Sequence, residues 1–172
     1  MTPTSSSTHP PLTTDRLDLR CWSTADADAV LGDAGQAHWA HDFPAEGDRV
    51  VAGLFGQNPA WLGAYGHRLV VERESGLVVG SVGLFWPPGE GTVELGYGIV
   101  ASRRGRGYAS EAARALADFA LTAPGVRTVV AAVELSNPAS VRVLEKAGFQ
   151  RCSTGADQAR FRFPPPGGHQ ER

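Results

Sequence analysis

One short run constrains this chain more than any other: Arg103-Arg104-Gly105-Arg106-Gly107-Tyr108-Ala109, set between a strand-like apolar segment at 93–100 and a helix-like one at 108–121. A strand that turns through glycines into a helix leaves the first N–H groups of that helix unpaired, at the positive end of its dipole. Such a corner is an anion site, and it suits a pyrophosphate. Gly105 and Gly107 let the backbone curl around phosphate oxygens with no Cβ in the way. Two other phosphate-loop patterns fail: no Gly-Lys-Ser/Thr follows, and no glycine stands three residues after Gly107.

A second marked stretch, Ser136-Asn137-Pro138-Ala139-Ser140-Val141-Arg142-Val143-Leu144-Glu145-Lys146-Ala147-Gly148-Phe149, follows another apolar strand candidate at 128–133. Asn137 is a good N-cap and Pro138 suits the first helical position. Val141 and Leu144 give an apolar face, Lys146 lies in the last turn, and Gly148 fits a left-handed terminus. The first run matches Arg/Gln-x-x-Gly-x-Gly/Ala from Arg104 to Ala109, and the second matches Asn-x-x-Ser followed by Lys-x-Gly-Phe. In this order, each after a strand, they resemble the coenzyme A signatures of the GNAT superfamily of N-acetyltransferases. Val93-Glu94-Leu95-Gly96-Tyr97 and Ala109-Ser110-Glu111-Ala112 resemble the RimJ/RimL-like group in particular. The resemblance covers 12–163 and is densest over 77–149.

Composition narrows the field without deciding it. A chain of 172 residues is long enough to bury one real core. Its net charge of -2 speaks against a chain-wide nucleic-acid or membrane-surface role. No apolar run approaches the ~20 residues needed to span a bilayer. Cys21 and Cys152 make no disulfide or metal framework, and five scattered histidines give no metal-ligand spacing. With no basic start and apolar stretch at the N-terminus, a cytoplasmic protein is expected. Polar and Pro-rich composition predicts disordered tails at 1–11 and 164–172 around one domain at 12–163.

Within that domain the pattern predicts strands at 17–22, 68–72, 77–85, 93–100 and 128–133, helices at 24–31, 47–55, 108–121 and from Pro138, then a further strand and a last one at 160–163. Early hairpins followed by strand–helix alternation give an α/β fold, with one mixed, mostly antiparallel sheet and helices on both faces. The resemblance implies that the fourth and fifth strands, 93–100 and 128–133, splay apart and that coenzyme A lies between them. It implies pantetheine pairing with backbone near Ile99, Val100 and Ala101, a donor near Gly98 or Ile99 for the thioester oxygen, and a bulge at Gly96 or Gly98. Arg104, Gly105, Arg106, Gly107, Tyr108 and Ala109 would form the pyrophosphate loop, with Asn137 beside the pantetheine. Arg103 has a phosphate contact and a solvated role equally open to it.

For chemistry, Glu94 shares a strand face with Gly96 and Gly98, so a carboxylate there has open space in which to take a proton from an ammonium. A solvated or salt-bridged Glu94 is the plainer alternative. Many family members carry a tyrosine where this chain has Leu144. In the RimJ/RimL-like group Ser140 is the candidate donor to the leaving thiolate; otherwise it completes the helix cap. Trp39, His41 and Asp42, in the loop between the first two helices, map to the acceptor wall, although core packing is the default for a tryptophan. The implied activity is direct transfer from acetyl-CoA to a primary amine on a small molecule, peptide or protein N-terminus, by a monomer or homodimer without metal. A non-catalytic coenzyme A-binding sensor is the alternative, and an RNA-binding use of the arginine–glycine run is the weaker rival.

Overall fold

The computed structural model describes residues 9–32 and 35–164. Most of both expected tails, 1–8 and 165–172, lies outside the described residues. The chain runs β1 (Leu12–Thr13), β2 (Leu17–Cys21), α1 (Thr24–Gly32), α2 (Glu46–Leu54), β3 (His67–Glu72), β4 (Leu77–Leu84), β5 (Thr92–Ile99), α3 (Tyr108–Ala120), β6 (Thr128–Glu134), α4 (Pro138–Lys146), β7 (Gln150–Thr154) and β8 (Gln158–Phe163). One sheet results, in the order β1-β2-β3-β4-β5-β6-β8-β7. Its neighbours are antiparallel except β5 and β6. The expected mixed α/β architecture is therefore present. Among the described residues no helix is long and apolar enough to cross a membrane.

The helices start where local chemistry says they should. Ser23 and Asp26 cap α1 reciprocally: the Asp26 N–H donates to Ser23 Oγ at 3.1 Å, and the Ser23 N–H to Asp26 Oδ2 at 2.8 Å. Asn137 caps α4 by accepting from the Ser140 N–H at 3.3 Å, and Gly148 ends it at φ 97°. Helix α3 lies against β2, β4 and β5. Its buried stripe is mostly alanine (Ala112, Ala113, Ala117 and Ala120, with Leu116), which lets the helix axis approach the sheet closely. Leu116 is fully buried, and truncating it to alanine is expected to cost about 2–5 kcal/mol.

The site is positioned by the way β5 leaves β6. Their parallel pairing covers only Thr92↔Thr128, Val93↔Val129 and Glu94↔Val130. Beyond that point β5 follows β4 while β6 continues with β8, so the sheet opens between the fourth and fifth of the strands expected from sequence. The β4–β5 register is unbroken from Gly80↔Ile99 to Leu84↔Leu95. The bulge expected at Gly96 or Gly98, both among the described residues, does not occur. The splay comes from the divergence of two whole strands.

Candidate active site

The glycine turn is held from several directions. Gly105 and Gly107 take φ of 79° and 85°, a region costly for residues with a Cβ. The first helical bond of α3 runs from the Glu111 N–H to the Gly107 carbonyl. The N–H groups of Tyr108, Ala109 and Ser110 therefore open the helix without an intrahelical acceptor. Glu72, at the end of β3 and 3% exposed, collects the surrounding donors. It accepts from the Tyr108 hydroxyl at 2.7 Å and the Ser75 hydroxyl at 2.6 Å, and pairs with Arg103 at 3.3 Å and Arg106 at 3.4 Å. Burial alone would raise its carboxyl; the hydrogen bonds from Ser75, Tyr108 and Arg103, with the Arg103 charge, bring it below the ordinary value. Arg104 folds back to donate to the Ile99 carbonyl at 2.9 Å. Arg103, Arg104 and Arg106 thus each spend at least one contact bracing the loop.

Two cations absent from the sequence-based site stand at the mouth of this turn. A Cβ on Gly107 would lie 3.2 Å from Arg16 Nη2 and 3.5 Å from Lys146 Nζ. Arg16 donates to the Arg106 carbonyl at 2.7 Å, pairs with Glu111 at 2.7 Å, and lies over the Tyr108 ring at 4.8 Å. Arg16, Gly107, Ser110, Glu111, Arg114 and Lys146 line a pocket of about 290 Å³, in which the Glu111 carboxylate is paired with Arg16. Three cations, three open helical N–H groups and the bare backbone of Gly105 and Gly107 fit a diphosphate-sized anion.

The slot leading from this cup is defined by the alternation of β5. The Val100 N–H donates to the Val79 carbonyl at 2.9 Å, and the Phe85 N–H to the Glu94 carbonyl at 2.9 Å. In an antiparallel ladder these bonds direct the even-numbered residues of β5 to β4, so Tyr97 and Ile99 turn their N–H and C=O groups toward the gap. This corrects one expectation and narrows another. The Val100 amide is already used by β4, and of Gly98 and Ile99 only Ile99 directs its donor into the gap. Ala101 begins a short 3₁₀ turn, Ala101–Arg103, instead of continuing the strand.

The two faces of the slot differ. Gly98 stands opposite Ser81, which bonds to Asp48 of α2, so Glu94, Gly96 and Gly98 face the α2 side. Glu94 is exposed, at the last paired position before the strands part. A Cβ at Gly98 would meet nothing within 4 Å, whereas Gly96 is covered by the Phe85 ring at 3.1 Å. The open space expected above both glycines is thus confined to Gly98. On the other face, the Tyr97 hydroxyl donates to the Ser140 carbonyl at 3.3 Å and reaches from β5 to α4. Burial pushes the Tyr97 phenol up. Leu144, in the place of the family tyrosine, is fully buried. Glu94 and Ser140 consequently belong to opposite faces of the sheet, joined by the gap.

The proposed acceptor wall divides. Trp39 is 9% exposed and packs edge-on against Phe43 at 5.2 Å, bridging to Val78 of β4; it is a core residue. Asp42 accepts from the Ser102 N–H at 2.8 Å and the Ser102 hydroxyl at 2.7 Å, which fixes the turn that follows β5. Its carboxyl is lowered: burial opposes, and the Ser102 hydrogen bonds prevail. His41 alone of the three is exposed. Arg16, Glu72, Ser102 and Tyr97 were missed because their partners lie far away in sequence. Lys146, a helix-end cation and the first residue of the Lys-x-Gly-Phe signature, reaches the turn from α4.

Comparison with known proteins agrees with this geometry. A family model described as acetyltransferase (GNAT) domain matches residues 16–150. The chain is 35% identical over 82 residues to the uncharacterised N-acetyltransferase YjdG of Bacillus subtilis, a stretch covering 47% of this chain and 49% of that one. It is 31% identical over 83 residues to the uncharacterised N-acetyltransferase p20 of Bacillus licheniformis, 48% of this chain and 47% of that one. The match thus spans about half the length of these curated relatives. The crystal structure of an acetyltransferase from Agrobacterium tumefaciens superposes with a TM-score of 0.66 at 26% identity, covering 91% of this chain and 95% of that one.

Proposed function

The chain belongs to the GNAT acetyltransferase domain family, and from that premise we propose that it moves the acetyl group of acetyl-CoA to a primary amine by direct attack in a ternary complex. The observation that carries the reading is the parting of β5 from β6 after Glu94, which leads along β5 to the glycine turn. In order along the chain stand Glu94 at the last paired position, the gap-facing backbone of Tyr97 and Ile99, and the cation-flanked turn of Gly105 and Gly107. Acetyl-CoA supplies an activated thioester. The chain's own residues supply placement, a backbone donor and a route for a proton.

Arg16, Lys146 and the first N–H groups of α3 hold the diphosphate. Gap-facing backbone groups pair with pantetheine amides as a missing strand would. The Ile99 N–H stabilises charge developing on the thioester oxygen, and most of the rate gain comes from holding amine and carbonyl together. Glu94 takes a proton from the arriving ammonium, directly or through water. Ser140, on the opposite face, donates toward the departing thiolate. That group leaves readily because a thiol pKa is about 8.5, which keeps the demand on Ser140 small. Leu144 and Ser140 together favour the RimJ/RimL-like arrangement. Asn137 is already spent as a helix cap through its side-chain oxygen and can still offer its amide N–H groups.

The test is release of free thiol from acetyl-CoA against a broad panel of amines, with acetyl-CoA binding followed by calorimetry. Turnover of at least one amine supports the proposal. Tight binding with no turnover across the panel would leave a coenzyme A-binding module in its place.

A further inference from the structure

Asp48 is 4% exposed on the sheet-facing side of α2. It accepts the Ala45 N–H at 2.8 Å through Oδ2 and the Ser81 hydroxyl at 2.6 Å through Oδ1. Both donors are neutral, and among the described residues no cation forms an ion pair with it. The adjacent Arg49 donates to the Val30 carbonyl at 3.2 Å. Burial raises the Asp48 carboxyl above its ordinary value, against the pull of Ser81, Ala45 and the Arg49 charge. A carboxylate in such a place gains most from a positive charge brought from outside.

Ser81 stands directly opposite Gly98 and is 8% exposed. The space above Gly98 is empty to 4 Å from a Cβ position. A serine hydroxyl has a single hydrogen, and Asp48 takes it. The remaining lone pairs of Ser81 Oγ can only accept, and they are backed by a negative charge. An oxygen in that state selects an N–H donor over an acceptor, and a charged donor over a neutral one.

We propose that Ser81, its hydroxyl turned by Asp48, receives the acceptor's ammonium in the space over Gly98 and orients it toward the gap. Ser81 touches the substrate; Asp48 is a positioning residue acting through it. The inference rests on the acetyl-transfer reading and adds that the acceptor enters as a cation from the α2 face. Glu94 lies four residues away on the same strand face, roughly 13 Å along the strand, so the proton of the aligned ammonium reaches it through water.

The test uses n-butylamine as probe in steady-state kinetics at saturating acetyl-CoA, with the wild type, Ser81→Ala, Ser81→Thr and Asp48→Asn. Ser81→Ala is expected to raise the n-butylamine KM about tenfold, more than it lowers kcat, as loss of one hydrogen bond to a charged group should. Acetyl-CoA affinity by calorimetry should stay within about twofold, on the scale where tenfold is 1.4 kcal/mol. Ser81→Thr should restore the KM, and Asp48→Asn should raise it as Ser81→Ala does. If Asp48→Asn does not fold, the alanine–threonine pair at Ser81 still decides. A lowered Tm with unchanged KM in Ser81→Ala would overturn the proposal, leaving Asp48–Ser81 a helix-to-sheet tether. So would a wild type that neither acetylates n-butylamine nor binds it in an NMR titration with coenzyme A present. Failure of acetyl transfer itself is separate, since it shows in the wild type across the whole amine panel.

Discussion

The Tyr108 hydroxyl donates to Glu72 at 2.7 Å, tying the first residue of α3 to the last residue of β3 across 36 positions of sequence. Tyr108 is 5% exposed and Glu72 3%. The glycine turn just before Tyr108 is therefore shaped from outside itself, by a carboxylate that also holds Arg103 and Arg106.

Glu72→Ala should weaken acetyl-CoA binding although Glu72 would not touch the ligand. Leaving the Tyr108 hydroxyl unpaired and freeing two arginines should cost about 1–3 kcal/mol of stability. The Glu72 carboxyl is depressed in the folded state, so its stabilisation is present above the ordinary glutamate value of 4.5 and is lost as pH falls below it. Glu72→Gln should flatten that part of the acid unfolding curve. An acid limb identical to wild type would remove Glu72 from this role.

Gly107→Val should abolish useful acetyl-CoA affinity, by about a hundredfold or more, roughly 2.7 kcal/mol. At φ 85° a β-branched residue is strained, and its Cβ would crowd Arg16 Nη2 at 3.2 Å and occupy the space before Lys146. The turn is at the surface, so the fold should survive. Calorimetric titration of the folded variant reads the effect, and near-normal affinity would sink the loop assignment.

Glu94→Gln and Ser140→Ala should separate by pH. Loss of a base should lower kcat most near pH 6–7, where the acceptor is charged, and matter less toward the amine's own pKa, about 8 for an α-amine. Ser140→Ala should slow turnover at high pH at least as much as at low pH, by about tenfold, or 1.4 kcal/mol. Full pH–rate profiles decide. A pH-independent loss in Glu94→Gln would assign that residue to acceptor binding.

His41 and Asp42 are adjacent in sequence but should behave differently. Asp42→Ala removes both anchors of Ser102 and loosens the turn after β5, so acetyl-CoA affinity should fall several-fold, the scale of one or two neutral hydrogen bonds at about 1 kcal/mol each. His41→Ala, on the exposed side, should change acceptor KM and leave acetyl-CoA affinity alone. Measuring both constants for both variants tests this; equal effects on the cofactor would contradict the separation.

Much of the fold was readable because its signals are local. Capping at Ser23 and Asn137, the proline that opens α4, the positive-φ glycines and the alternating strands each depend on neighbours within a turn or a pleat. The two motifs of the slot were legible for the same reason: each lies in one strand–turn–helix unit. By itself the sequence determined the order of elements from β2 onward, the corner at Gly105–Gly107 and the family to which that corner belongs; the two-residue β1 is too short to leave a pattern.

Tertiary structure decided what surrounds the corner. Arg16 meets Glu111 across 95 positions, and Asp48 meets Ser81 across 33, distances over which composition and periodicity carry no information. It also decided which amides face the gap. The register between β4 and β5 sends the Ile99 and Tyr97 backbone outward and commits Val100 to Val79, and a one-residue slip would have reversed that choice. Register is set by the packing of both sheet faces together, and that packing exists only once the chain has closed on itself.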